Sequence, residues 1–417
     1  MLDDSATQVD EANLNAAQAM VSAEPVWTDI RPAIDAIPDM REDLVLHSGP
    51  PIPWDRMLDA QKGAVICAAQ YEGLADSPEE AEEQFAAGEI DLAPAHDHQA
   101  TGPGSGAISA NMPVFVVEDR VSGNEGYCTI AELLMVFGCY EDDAVASIEH
   151  LRDTIGPVLK EAVDRADGIP VKPLLAKSLL MGDEGHDRTT AGSNLLSVQI
   201  APDLVNSDID QEKLAQFFEY IPQTELFFFT FLNMAASKAV TRAAEDITHS
   251  SVVTVMAGNG IEYGIKVSGL GDEWFTGPAP ILKGSFFGEY TQADAAPEQG
   301  DSIVTETAGL GGFSLPASPA HIDACGETME RAQEEAKRMQ EITVLENLTL
   351  DVPNTDSDGA PTGVDIRSVV ETGITPFHAA GLGHKDRGEG FIGLGTGRAP
   401  KVPFTKAAQA FKSKYEI

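Results

Sequence analysis

Positive charge is what this sequence has least of. Its 27 lysines and arginines stand against 67 aspartates and glutamates, a net charge of −40 over 417 residues. A field that negative repels nucleic acid and anionic membrane surfaces, so neither is expected as a partner. It resembles the solvated acidic surface of a salt-adapted protein, which speaks of environment and not of chemistry. An anionic substrate would need cations placed locally, against the global field. Arg and Lys inside glycine-rich segments therefore carry more weight than usual. Cysteine is scarce too: Cys67, Cys128, Cys139 and Cys325 are scattered and form no C-x-x-C pair. That fits reduced thiols in cytoplasm better than a disulfide frame or a zinc site. His321 and Cys325 stand four apart on an expected helix, but two ligands do not make a site. Long apolar runs are missing as well. The most apolar one, Leu226 to Met234, is far too short to span a bilayer. The acidic opening Met-Leu-Asp-Asp-Ser has no leader core. A soluble, cytoplasmic protein is the expectation. No Walker loop or clean Rossmann fingerprint occurs, so neither a nucleotide nor another cofactor is indicated.

The 43% hydrophobic content is ordinary for a globular chain, and the length calls for two or three domains. Strand-and-loop alternation fills the first part, with strands at Pro25–Ile30, Leu44–His47 and Pro113–Glu118. Helices are expected over residues 1–24, from about Asp55 to Glu72, and from Ser77, where Ser-Pro-Glu-Glu reads as a cap with proline in the first turn. From Thr129 to about Thr248 the periodicity is helical throughout. Strands return at Ser251–Met256 and Tyr263–Val267 around the turn Gly258-Asn-Gly260, and a helix follows over about Pro319–Glu341. The fold class is thus α/β (α+β) and multidomain: two α/β domains, 1–128 and 249–417, flank an all-helical domain, 129–248.

One stretch concentrates the chemistry. After an apolar helical run ending at Met181, Gly182 and Gly185 break the pattern among Asp183, Glu184, His186, Asp187 and Arg188. Helical periodicity resumes at Thr189. Two glycines beside five ionisable residues point to a helix broken on purpose, since each costs about 1 kcal/mol inside a helix. Freed N–H groups and the positive end of the second helix could face an anion, with Arg188 adding a bidentate grip. The alternative is a plain helix corner capped by Asp187 or Thr189. Two other segments resemble it. His96, Asp97 and His98 lie beside Gly102, Gly104 and Gly106, where backbone approach to a ligand, a structural loop or, with no further ligand nearby, a metal are the options. His378, His384, Lys385, Arg387 and Arg398 gather near the C-terminus, either as an anion site or as a solvated basic loop.

Taken together, His47-Ser-Gly-Pro-Pro-Ile-Pro-Trp54, Ala93-Pro-Ala-His-Asp-His98, Gly182-Asp-Glu-Gly-His-Asp-Arg188, Val267-Ser-Gly-Leu-Gly-Asp-Glu-Trp-Phe275, Gly383-His-Lys385 and Gly397-Arg-Ala-Pro400 resemble the YlbE-like family, the AllG-type subunits of oxamate carbamoyltransferase. The resemblance runs in order from about residue 13. The family pattern differs in carrying Asn at position 187 and a larger residue at position 185. It implies a cytoplasmic subunit working with two others, one of them acyl-CoA-synthetase-like. The small anionic substrates would be oxamate and carbamoyl phosphate, interconverted with oxalurate and phosphate in purine (allantoin) catabolism. On this basis His186, Arg188 and His384 are expected in catalysis. His96, His98, Asp183, Glu184, Asn259, Lys266, Lys385 and Arg398 are expected in substrate binding, with no metal. His96, Arg188, Lys266 and Arg398 should meet in a cleft between domains. Two other readings stay open: a non-catalytic scaffold, and a metal-assisted amidohydrolase-like enzyme using Asp183, Glu184 and His186.

Overall fold

A computed structural model describes residues 2–224 and 226–416, with side chains from residue 7 onward; Met1 of the expected N-terminal helix lies outside them. The architecture is mixed α/β, as the sequence indicates, and opens on the helix Leu2–Ser22. A five-stranded sheet has the order Ala100–Thr101, Glu125–Thr129, Pro113–Asp119, Pro25–Pro32, Ile169–Pro170. Its middle strand is apolar at every position from Val114 to Val117 because both faces are covered. Phe115 and Val117 join a core with Trp27, Phe228 and Leu232, while Val114 and Val116 pack with Leu44, Leu46 and Ile108. The helix Phe228–Arg242 lies so close to the strand Glu125–Thr129 that a Cβ on Gly126 would sit 2.2 Å from the Ala235 carbonyl oxygen. Glycine is required there by contact alone.

A small sheet sets Leu44–His47 parallel to Asp91–Pro94 and antiparallel to Ala107–Ile108. It aims the proline-rich loop after His47 and the turn Ala95–His98 toward the same end. The C-terminal region holds a sheet ordered Phe275–Pro278, Glu262–Val267, Val253–Asn259, Gln299–Gly300, beside a second sheet ordered Lys283–Phe286, Phe391–Arg398, Phe377–Gly383. Asn259 closes the expected hairpin, its side-chain oxygen accepting from the Ile261 and Glu262 amides at 3.0 and 2.7 Å.

Local signals explain most boundaries. Ser77 caps the helix Pro78–Ala87, accepting from the Glu80 amide at 3.2 Å. Three segments differ from expectation. The helix over Pro319–Glu341 is two helices, Pro319–Ala324 and Met329–Gln340, split at Gly326, whose φ of +75° is left-handed. The stretch 129–248 contains the edge strand Ile169–Pro170. The C-terminal glycines belong to paired strands, where they permit close approach of the neighbouring strand: a Cβ on Gly395 would sit 2.8 Å from the Lys283 carbonyl oxygen.

Candidate functional site

The broken helix is a sharp corner between Val171–Leu180 and Thr190–Val205. Its backbone donors are taken by the chain's own carboxylates. Asp183 accepts from the Ala191 and Gly192 amides at 3.1 and 2.8 Å, which fills the anion position at the start of the second helix. Glu184 accepts from the His186 and Arg188 amides at 2.8 and 2.7 Å. The expectation that free helix N–H groups face a bound anion is therefore corrected, and so is the cap. Thr189 occupies the N-cap position without a side-chain cap bond; its hydroxyl donates to the Leu226 carbonyl. The corner is docked from both sides. Thr230 and Asn233 donate to the His186 and Gly185 carbonyls at 2.5 Å each, and the Gly311 amide and Ser314 hydroxyl reach the Glu184 carbonyl.

Folding the corner inward buries a charged network. His186 Nδ1 lies 3.0 Å from Glu306 Oε1, and its Nε2 lies 3.7 Å from Asp187 Oδ1. Asp187 Oδ2 lies 3.8 Å from His321 Nε2, which touches the Cys325 thiol at 3.5 Å. Burial pushes the His186 imidazole toward neutrality, but Glu306, Asp187 and Glu184 outweigh it and carry its pKa up to about 10. Glu306 is held below the usual carboxylate range: burial opposes this, but His186, His378 and the Gly312 amide prevail. Burial lifts Glu184 to about 8 and Asp187 to about 6. His321 is pushed down to about 3, by burial first and then by His186 and Arg188. At neutral pH this describes an imidazolium locked to one carboxylate, with a neutral imidazole beside it.

Next to this network is a cavity of ≈ 40 Å³, lined on its polar side by His186, Asp187, Glu298 and Gln299 and on its apolar side by Phe137, Phe227 and Met234. His186 Nε2, Asp187 Oδ2, Glu298 Oε2 and both side-chain polar atoms of Gln299 are buried without a hydrogen-bond partner. An unpaired buried polar atom costs about 1–3 kcal/mol, so a polar molecule in this cavity, water or ligand, would satisfy several of them at once. Glu298 spends its other oxygen on His378, whose Nδ1 is 2.7 Å away; His378 Nε2 lies 3.2 Å from the Tyr263 hydroxyl.

A second cluster surrounds His96, whose two ring nitrogens are also unpaired and whose Nε2 lies 3.6 Å from Asp301 Oδ1. Asp301 ties two glycine loops together, accepting from the Gly49 and Gly102 amides at 2.7 and 2.8 Å, and burial lifts its pKa to about 7. Lys266 pairs with Asp97 at 2.6 Å and stacks over Trp274 at 5.2 Å. Burial, then Lys238 and Lys266, hold His96 well below its ordinary value.

The structure places the sequence-derived residues in four groups. His186, Asp183, Glu184 and Arg188 share the corner, the first three buried and Arg188 half-buried. His96 and Lys266 flank Trp274, while His98 turns away to the Pro38 carbonyl, 2.9 Å from its Nδ1. Asn259 spends its amide on the Pro50 carbonyl and its oxygen on the hairpin. The C-terminal group disperses. His384 Nδ1 accepts from the Asp386 amide at 3.0 Å, Lys385 is half-exposed beside Asp294 and Asp386, and Arg398 binds Glu335 and the Thr375 carbonyl. The expected meeting of His96, Arg188, Lys266 and Arg398 is thus corrected: Arg398 is sequestered by Glu335, and Arg188 belongs to the His186 side. Asp183, Glu184 and His186, weighed as metal ligands, each serve a different partner, and among the described residues no group of three His, Cys, Asp or Glu is placed to hold a metal ion.

Sequence reasoning passed over Glu298, Gln299, Asp301 and Glu306, the segment that threads between both clusters. In a chain with 67 acids a single carboxylate draws no notice. One signal was available: Glu306 is the lone Asp, Glu, Lys or Arg between Asp301 and Asp323.

Comparisons with known proteins identify the family. The family model described as oxamate carbamoyltransferase subunit AllG matches residues 90–302, which include the His96 and His186 segments and Glu298. The chain is 39% identical to the oxamate carbamoyltransferase subunit AllG of Escherichia coli K12, covering 99% of each. It is 36% identical to an uncharacterized protein, YahG, of the same organism, over 99% of this chain and 88% of that one. A crystal structure of a conserved protein of unknown function from Enterococcus faecalis V583 superposes with a TM-score of 0.95 at 37% identity, over 97% of this chain and 98% of the other. With 39% identity to an AllG subunit over nearly the whole of both chains, and the family model matching half of its length, the chain belongs to the AllG family.

Proposed function

We propose that this chain is a subunit of an oxamate carbamoyltransferase, interconverting oxamate plus carbamoyl phosphate with oxalurate plus phosphate in purine (allantoin) catabolism. It would act in cytoplasm with two further subunits, one acyl-CoA-synthetase-like. The observation that carries this reading is the cavity between the corner and the Glu298 segment. Its unpaired atoms match a primary amide: Asp187 and Glu298 oxygens accept from N–H, His186 donates, and Gln299 does both. At about 10–15 Å³ per water-sized site, ≈ 40 Å³ suits an amide or carboxylate head and not a nucleotide. Arg188, next in the chain to the lining Asp187 and, among the described residues, without a carboxylate partner, would supply the cation that a phosphate or carboxylate needs. Carbamoyl transfer asks for little more: reactants held in line, charge on the carbamoyl oxygen stabilised, and one proton moved.

The test is reconstitution. The three subunits are assayed singly and in every combination for phosphate release from carbamoyl phosphate with oxamate. Turnover should require this chain, and a complex carrying His186→Ala should assemble but lose most of it. A His186→Ala complex with full turnover would make the chain a scaffold.

A further inference from the structure

We propose that Glu298 is the residue that moves the proton in carbamoyl transfer, with His378 and Tyr263 as its positioning relay. The inference rests on the functional reading above and names a chemical role within the same cavity.

An amide nitrogen is a poor nucleophile until its proton leaves. In the forward direction the oxamate nitrogen attacks the carbamoyl carbon and a C–N bond forms. The bond from that carbon to the phosphate oxygen breaks, and phosphate departs with the electron pair. The surplus proton on nitrogen must go to a base. In reverse, phosphate attacks the ureido carbon and the departing amide nitrogen takes the proton back. One group positioned at the nitrogen serves both directions.

Among the groups that line the cavity, Glu298 is the one arranged for this. Its Oε1 is occupied by His378 and its Oε2 is buried and free to accept. Its backbone is pinned: the N–H donates to the Pro280 carbonyl at 2.7 Å, and the carbonyl accepts from the Gly260 amide at 3.1 Å. Burial raises the Tyr263 hydroxyl well above its ordinary value, so it stays a donor. With Tyr263 donating to Nε2, His378 carries its own proton on Nδ1 and donates to Glu298. That fixes one oxygen and leaves the other for substrate. His186, on the same cavity, is already bound to Glu306 and offers Nε2 as a donor to the carbamoyl oxygen. Donor and acceptor are thus supplied by two separate hydrogen-bonded pairs, His186–Glu306 and His378–Glu298, each anchored on its far side.

The experiment compares Glu298→Gln, Glu298→Asp and His378→Asn in the full reconstituted complex, reading kcat and KM for oxamate. General acid–base catalysis is worth about 10²–10⁴-fold, so Glu298→Gln should lower kcat by that order while KM for oxamate stays within about threefold. Glu298→Asp keeps the carboxylate but draws it back, and should recover part of the rate. His378→Asn should lower kcat about tenfold with KM unchanged. Should Glu298→Gln fail to assemble, Glu298→Asp decides: kcat unchanged in that variant overturns the role. A raised KM with intact kcat also overturns it and makes Glu298 a binding residue. Loss of the relay leaves the carbamoyltransferase reading standing, whereas a wild-type complex that works without this chain removes both.

Discussion

Replacing Glu306 by glutamine is the most searching test of the buried network. Glu306 accepts from His186 Nδ1, the Thr305 hydroxyl and the Gly312 amide at 3.0 Å each, and from the Ala379 amide at 3.3 Å. It therefore ties the corner, the 311–314 turn and the strand Phe377–Gly383 to one point. Glutamine keeps the shape and an acceptor for the amides, and the Thr305 hydroxyl can rotate to accept from the new N–H. The loss is chiefly the charge pair. Breaking a buried pair costs about 3–5 kcal/mol, and the retained hydrogen bonds place this case near about 3. The thermal midpoint should fall by about 3 °C. The pH dependence has a definite sign. His186 is raised from 6.5 to about 10, so its stabilisation is complete below about 6.5 and is lost as pH rises through about 10. Glu306 is lowered, so its share is present above 4.5 and disappears as pH falls. The deficit of Glu306→Gln should be greatest between about pH 5 and 7 and narrow toward pH 10. Thermal melts across that range, with a histidine NMR titration, read both effects. A deficit that does not vary with pH, or a His186 still protonated at pH 9 in the variant, would refute the pairing.

Arg188→Lys should lower turnover of the complex by roughly tenfold or more, because the charge survives but the two-pronged geometry does not, while the melting midpoint barely moves. Unchanged turnover would make Arg188 idle. Arg398→Ala should do the opposite: about 1.5–3 kcal/mol of stability lost with its bonds to Glu335 and Thr375, and KM for oxamate unaffected. A raised KM would return Arg398 to the substrate. Asp183→Ala removes the acceptor for two amides and should destabilise by about 1–2 kcal/mol in urea titrations, where an unchanged midpoint would contradict its capping role.

Sequence patterns were informative where local rules act alone. Ser77 before proline named a helix start, and Leu44–His47 read as a strand at its observed bounds. The corner at residues 181–189 was visible because glycines and charges interrupted an apolar period. What filled that corner was not visible. A carboxylate that caps a helix eight residues ahead, as Asp183 caps through Ala191, looks the same in sequence as one aimed at a ligand. Nor could sequence show that Glu298, Asp301 and Glu306 turn inward, since burial of an acid depends on partners at residues 49, 102, 186 and 378, far along the chain. The C-terminal basic residues misled for the converse reason. Grouped in sequence, they are split by a hairpin that sends His384 and Arg398 to different neighbours.

With 67 acids to choose from, almost any arginine finds a carboxylate. Arg31, Arg41, Arg56, Arg120, Arg152, Arg165, Arg242, Arg331, Arg338, Arg367, Arg387 and Arg398 all do, within 4.0 Å. Among the described residues Arg188 does not, although it is half-buried and its Nε is sealed from solvent without a partner. Its neighbours Asp183 and Glu184 spend their oxygens on backbone amides instead. An acidic protein in which one half-buried arginine has no carboxylate within 4.0 Å leaves that charge open to an anion from outside the chain, which supports the function proposed above. That is the condition a small anionic substrate needs in order to bind against a field of −40.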